Sequence, residues 1–222
     1  MNCGPGSNDN QNDIKKNLKI VKNKIGKNTK DIFLLHQVHS NKFIYVKKDF
    51  KFKRKKIKAD AIITDQKKFP IGILTADCAP VFLYDEKRNM IAAIHAGWKG
   101  AFKGIIDKVI NFMLNKGCKK KHLIAVIGPS IKQSNYNVGE DLKRKFVKKN
   151  KNNLKFFNKK KGLNYFDLPN FIKFQLKSKK ITKIDMINID TFDERNNFFS
   201  ARRSIRLNHN DYGRNISIIM IN

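Results

Sequence analysis

Four short apolar runs occupy the middle of the chain and limit what it can become: residues 71–74, 81–84, 90–94 and 123–127. Each is shorter than an ordinary core helix and is bounded by turn signals, so each reads as a buried β-strand. None approaches the roughly 18 apolar residues of a membrane-crossing helix, and no membrane partner is expected. Helical patterns surround them. Ile14, Leu18, Val21 and Ile25 recur at spacings of three and four within 10–25. Ile105, Ile106, Val109, Ile110, Met113 and Leu114 form an amphipathic helix stopped near Gly117, and 168–176 opens at Pro169 with Phe171, Ile172 and Leu176 inward.

Four more segments read as β: 32–46, 59–64, 184–189 and 216–221. Alternation through the first places Phe33, Leu35, Gln37 and His39 on one face and His36 on the other. The Lys/Asn-rich stretch 143–161 reads as exposed helix or loop. Strands mixed with helices, without regular βαβ alternation, indicate an α+β fold. A chain of 222 residues suits one domain, residues 1–222.

The net charge of +30 resembles a nucleic-acid signature at first. Its distribution argues otherwise: 40 of the 48 basic residues are Lys, scattered along the chain, without the arginines and interleaved aromatics of a stacking groove. No specific nucleic-acid partner is expected. The three cysteines, Cys3, Cys78 and Cys118, are too few and odd in number for a disulfide framework, and residues 1–12 lack the apolar stretch of a secretory signal. A reducing cytoplasm is the expected compartment. No heptad run or exposed apolar helix points to an oligomer, so a monomer is expected. Five of the eight arginines, Arg195, Arg202, Arg203, Arg206 and Arg214, fall near the C-terminus. A guanidinium recognises phosphate through two parallel hydrogen bonds, which an ammonium cannot do, so an anion site is expected among them.

Chemistry concentrates at three strand-to-loop junctions. His39 lies in His36-Gln37-Val38-His39-Ser40, Cys78 in Thr75-Ala76-Asp77-Cys78-Ala79-Pro80, and His95 ends a strand before Ala96-Gly97-Trp98-Lys99-Gly100. Such junctions hold side chains rigidly with one side open. Two imidazoles and a thiolate match a catalytic zinc site with a vacant fourth position, where the metal makes water acidic. Asp77 could orient a ligand or take a proton. The same residues, without a metal, could form a Cys78 nucleophile with a histidine base. Cys3, Cys118, His36, His122 and His209 read as incidental, the cysteines in polar, loop-like contexts.

Further strings follow in a fixed order: Ala59-Asp60-Ala61-Ile62-Ile63-Thr64 between the first two motifs, then Ile127-Gly128-Pro129-Ser130-Ile131, Tyr136-Asn137-Val138-Gly139, Phe198-Phe199-Ser200-Ala201-Arg202-Arg203 and Gly213-Arg214-Asn215. Together they resemble the YfiH family, also called the laccase-domain or multicopper polyphenol oxidoreductase family, from about Asn2 to the C-terminus. The resemblance implies a β-sandwich-like core of mixed sheets flanked by helices, related to the CNF-type toxin deamidases. It implies zinc or copper held by His39, Cys78 and His95. It also implies purine nucleoside phosphorylase activity, with adenosine deamination and methylthioadenosine cleavage. Nucleoside and phosphate are then the partners, with Arg202, Arg203, Arg214 and Lys99 as phosphate or substrate contacts and Phe198 or Phe199 stacking on the base.

This sequence departs from that pattern in places. Lys99 stands where the family usually carries Arg, Ala201 replaces a common Tyr, and Asp190 replaces a Cys before Thr191. The turn at Asn2–Asp9 resembles one that family members reach only after a first strand and loop, so the chain is expected to be N-terminally short. Three alternatives stand beside the phosphorylase: a Cys-dependent amide hydrolase, as in peptidoglycan-precursor editing; a copper-dependent polyphenol oxidase; and a non-catalytic polyanion-binding protein with a vestigial site. Persistence of activity after chelation, phenol turnover tracking copper, and indifference to Cys78 substitution would respectively distinguish them.

Overall fold

The computed structural model describes residues 1–26, 28–50 and 57–222. In chain order its elements are α1 (Gln11–Ile25), β1 (Phe43–Val46), β2 (Ala61–Thr64), β3 (Ile71–Thr75), β4 (Ala79–Asp85), β5 (Met90–Ala96), α2 (Trp98–Phe102), α3 (Ile105–Asn115), β6 (Leu123–Ile127), β7 (Asn137–Val138), α4 (Glu140–Lys149), β8 (Phe157–Lys160), β9 (Leu163–Phe166), α5 (Leu168–Ser178), β10 (Lys183–Met186), α6 (Ala201–Arg206) and β11 (Asn215–Ile219). The fold is α+β, with three sheets among the described residues.

The largest sheet has six strands in the order β1-β2-β5-β4-β6-β10. At its centre β4 and β5 form an antiparallel hairpin from Ala79↔Ala96 to Asp85↔Met90. Antiparallel β2 and β6 flank it, and the outer pairs, β1 with β2 and β6 with β10, are parallel. Both faces of this sheet are covered, which explains why β5 is buried along its whole length and apolar at every position but His95. Ala92, Ile94 and Ala96 face a core closed by α3 and α5, with Val109, Ile110 and Ile172. Ile91 and Ala93 face a second core built with Ile71 and Ile73 of β3, together with Leu35 and Phe69. There β3 pairs antiparallel with β11, a two-stranded ribbon that makes the second layer of a sandwich. Strand parity therefore puts His95 on the same face as Ile91 and Ala93, toward the ribbon.

The apolar runs of the middle chain become β3 to β6 and α3 nearly as the sequence predicts. Segment 32–46 does not form one strand. Only Phe43–Val46 is extended in the sheet; Phe33 and His36 make single bridges to Ile71 and Lys58. Pairing of 184–189 ends at Met186, leaving Ile187 and Ile189 exposed. Residues 143–161 hold most of α4, a 3-10 turn and β8 rather than a bare surface. Phe146 is fully buried, its ring centroid 4.8 Å from Phe166 and 4.9 Å from Phe102. A periodicity count misses this single anchor because lysines surround it. Cys3 and Cys118 are buried, not loop-exposed, and all three cysteines are free. No helix among the described residues is long and apolar enough to cross a membrane.

Candidate active site

The site is organised by Asp60, which precedes β2 and is fully buried. A buried carboxylate needs several donors to stay ionised. Asp60 finds them in the loop before β1: the backbone N–H groups of Val38 at 3.1 Å, His39 at 2.9 Å and Ser40 at 2.6 Å, with the Ser40 hydroxyl at 2.7 Å. Wrapping around one carboxylate bends this loop out of any sheet and takes His39 to φ 54°, the left-handed region. His39 is therefore a loop residue, not the end of a strand. Its neighbour Gln37 pairs its side-chain amide with the backbone of Leu74, donating to O at 2.6 Å and accepting from N at 2.8 Å. That exchange ties the loop to the end of β3.

Asp60 also fixes the second imidazole. His95 Nδ1 lies 2.9 Å from Asp60 Oδ1, and since a carboxylate only accepts, Nδ1–H donates and Nε2 is left facing away. Cys78 comes from the turn between β3 and β4, just after Asp77 at φ 82°. Its Sγ is 3.6 Å from His39 Nε2, and the two imidazole rings meet edge to face at 4.7 Å. One donor atom from each of His39, Cys78 and His95 lies within 4.8 Å of the others. Gly97 keeps this space open: a Cβ there would come within 2.7 Å of Cys78 Sγ and 2.9 Å of His39 Cδ2.

The charges are coupled. Burial would raise the Cys78 thiol, but the His95 charge and hydrogen bonds from His39 and His95 outweigh it and bring the thiol down to about 6. Burial also opposes a charged His95, and the Cys78 thiolate and the Asp60 carboxylate overcome it, raising the imidazole to about 9. For Asp60, hydrogen bonds from His95 and Ser40 more than offset burial and hold it at about 2.

The donor set fits a metal. Ligand bonds of about 2.0–2.3 Å place two tetrahedral donors roughly 3.3–3.8 Å apart, a range that includes the His39–Cys78 separation. His95, with Nδ1 committed to Asp60, presents Nε2 in the manner of a metal-ligating histidine held by a carboxylate.

The cluster opens on a cleft of about 540 Å³ beside the end of β3, walled by Pro5, Leu35, His36, Gln37, Leu74 and Tyr212 among others. Arg214 lines it too; Lys99, Arg202 and Arg203 do not. Lys99 lies exposed on α2, its ammonium 5.6 Å from the Trp98 ring centroid. Arg202 donates to Asn137 O at 2.7 Å and Oδ1 at 2.6 Å, beside the Tyr136 ring. Arg203 acts as a structural clamp: Nη1 and Nη2 donate to the carbonyls of Thr191, Phe192 and Phe198 at 3.1, 2.9 and 2.5 Å, away from the cleft lining. Asp77 hydrogen-bonds none of the three donor side chains. Its carboxylate accepts from Thr191 Oγ1 at 2.8 Å and Arg202 N at 2.6 Å, joining the Cys78 turn to α6. Phe199 packs over Gly213 outside the cleft, and Phe198 does not line it. His36, read as incidental, lines the cleft. Asp60 carried one legible signal, an acid set among small and apolar residues at the head of a buried strand.

The α+β fold that carries this cluster is shared with solved structures. The hypothetical protein YfiH of Bacillus licheniformis superposes with a TM-score of 0.87 at 27% identity, covering 100% of this chain and 85% of that one. Residues 1–222 match the family described as multi-copper polyphenol oxidoreductase laccase, and the chain belongs to it. It is 36% identical to a purine nucleoside phosphorylase of Rickettsia conorii over 91% of this chain and 87% of that one. An adenosine deaminase, RL5, from an unknown prokaryotic organism is 31% identical over 65% of this chain and 56% of its own length.

Proposed function

We propose that this chain is a cytoplasmic, monomeric enzyme, one domain over residues 1–222, that cleaves purine nucleosides with phosphate, deaminates adenosine and accepts methylthioadenosine. His39, Cys78 and His95 would hold zinc, or copper in its place. The observation that carries this reading is the convergence of three donors from separate segments within 4.8 Å, at a cleft that also exposes a guanidinium.

A bound zinc there supplies Lewis acidity that activates water or polarises the substrate. The protein's own groups do the rest. Asp60 holds the His95 ring in one orientation, and Gln37 and Gly97 keep the His39 loop and the space before it in register. Arg214 hydrogen-bonds Asp211 and Tyr212 through Nη1 alone, leaving Nη2 and Nε without partners among the described residues. These free donors suit one phosphate oxygen pair. In phosphorolysis that phosphate attacks C1′ as the bond to the base nitrogen breaks. In deamination water adds at C6 and ammonia leaves.

Incubation of the pure protein with adenosine and phosphate tests the proposal. Adenine, ribose 1-phosphate and inosine are the expected products, diminished by chelation and by Cys78→Ala. Absence of all three at high enzyme overturns it. One observation favours a second reading, a thiol hydrolase acting on an amide: Cys78 is acidic at about 6 beside a histidine oriented by Asp60. Full activity after exhaustive chelation would select it. Copper-dependent phenol oxidation is disfavoured, because the one three-donor cluster among the described residues lacks the several metals of four-electron oxygen reduction.

A further inference from the structure

Tyr212 lines the same cleft as the His39/Cys78/His95 cluster. The Arg214 guanidinium lies over its ring, 4.2 Å from the centroid. Together they form a two-layer plate, one layer aromatic and one cationic, on the cleft wall. The plate is fixed on every side. Asp211 takes the Nη1 of Arg214 at 3.2 Å and the backbone N–H of Asn8 at 2.7 Å. Asn2 Oδ1 accepts the backbone N–H groups of both Arg214 and Gly4, at 2.8 and 2.9 Å. The Arg214 stem lies so close to Gly4 that a Cβ there would be 2.4 Å from its Cδ, and the Phe199 ring closes on Gly213 in the same way at 2.6 Å. A plate held on both flanks loses little entropy when a ligand settles on it.

We infer that the Tyr212–Arg214 plate is the stacking platform for the planar base of the substrate. This deepens the phosphorylase reading and rests on it for the identity of the substrate. The physical case is that a flat heteroaromatic ring stacks on either layer: on the phenol through π-stacking, on the guanidinium through cation–π and planar contact. A base so placed lies over the cleft that holds the three donors, and the partnerless nitrogens of Arg214 remain at its edge for an anion. Phe198 and Phe199, the aromatic pair singled out by sequence, do not line the cleft, and Phe199 backs the plate through Gly213 instead.

The test uses the full chain with free adenine as probe, by equilibrium dialysis, beside steady-state kinetics with adenosine and phosphate. Stacking of one base contributes about 1–3 kcal/mol, so Tyr212→Ala should weaken adenine binding by roughly tenfold or more. It should raise the KM for nucleoside similarly, with the phosphate KM within about twofold of wild type. Tyr212→Phe and Tyr212→Trp should retain binding, which a merely structural role for the hydroxyl or the loop would not predict. Equal adenine affinity in wild type and Tyr212→Ala, with unchanged thermal melting, overturns the inference, as does absence of adenine binding to the wild type. Adenine binding that Tyr212→Ala abolishes in a protein without nucleoside turnover would sustain the platform while the phosphorylase reading fell.

Discussion

The carboxylate of Asp60 and the Nδ1 of His95 are 2.9 Å apart in a setting where both residues are almost wholly buried. The same carboxylate gathers the loop that carries His39. One residue therefore positions two of the three donors, and its loss should be felt twice. Asp60→Asn keeps the shape but offers an amide where donors converge; it should lower stability by about 2–4 kcal/mol in urea unfolding. An unchanged unfolding midpoint would contradict this role.

Asp60 also predicts an acid limit. Its folded value of about 2 lies below the ordinary 3.8, so its contribution is complete above about pH 4 and is lost as pH falls through 2. The shift corresponds to about 2 kcal/mol. Stability of wild type minus Asp60→Asn, followed from pH 5 to pH 2, should shrink accordingly.

Cys78 should remain nucleophilic in metal-free protein down to about pH 6, where an ordinary thiol would already be protonated. Burial pushes Cys118 up to about 12 and raises Cys3 as well. Iodoacetamide followed by peptide mass mapping should label Cys78 alone in the native state. A labelling rate that declines from pH 9 downward would show that the imidazoles do not hold the thiolate.

Elemental analysis of the purified protein should find about one zinc per chain, with the metal missing from Cys78→Ala. Gly97→Ala should lower metal affinity by about 10–100-fold with the fold intact, because its Cβ intrudes on Cys78 Sγ and His39. Normal zinc content in Gly97→Ala would mean that the gap before the cluster is immaterial.

Two arginines near the C-terminus should separate cleanly. Arg203→Lys cannot reach three carbonyls and should cost about 1–3 kcal/mol in stability with little change in phosphate KM. Arg214→Lys should raise phosphate KM about tenfold, since paired contact to an oxyanion is lost. Reversal of the two phenotypes would reassign the anion site.

The contrast between those arginines shows where sequence reasoning reached its limit. Residues 71–75 and 90–96 are legible because their apolar runs are buried on both faces, and the helix at 105–115 because its stripe repeats every three or four residues. The three donors were legible as residue types at strand ends, although His39 turned out to lie in a loop. What stayed hidden is held by single long-range hydrogen bonds. Alternation at 32–46 predicts a strand, but three backbone amides bond to a carboxylate some twenty residues away instead. Nothing local distinguishes Arg203, clamped to three backbone carbonyls, from Arg214, which lines the cleft. Nor does local sequence mark Tyr212 as the aromatic that reaches the site instead of Phe198 or Phe199.

The pairing of β3 with β11 has a consequence for the chain as it is made. All three donors have been synthesised once His95 is made, whereas the strand that pairs with β3, and the plate beside it, come only with residues 212–219. A ribosome-bound chain arrested before Asn215 should label at Cys78 faster than the released protein. Until residues 212–219 are made, the β3 edge lacks its partner strand and the cleft that carries Cys78 lacks its Tyr212–Arg214 wall, so one late segment completes both.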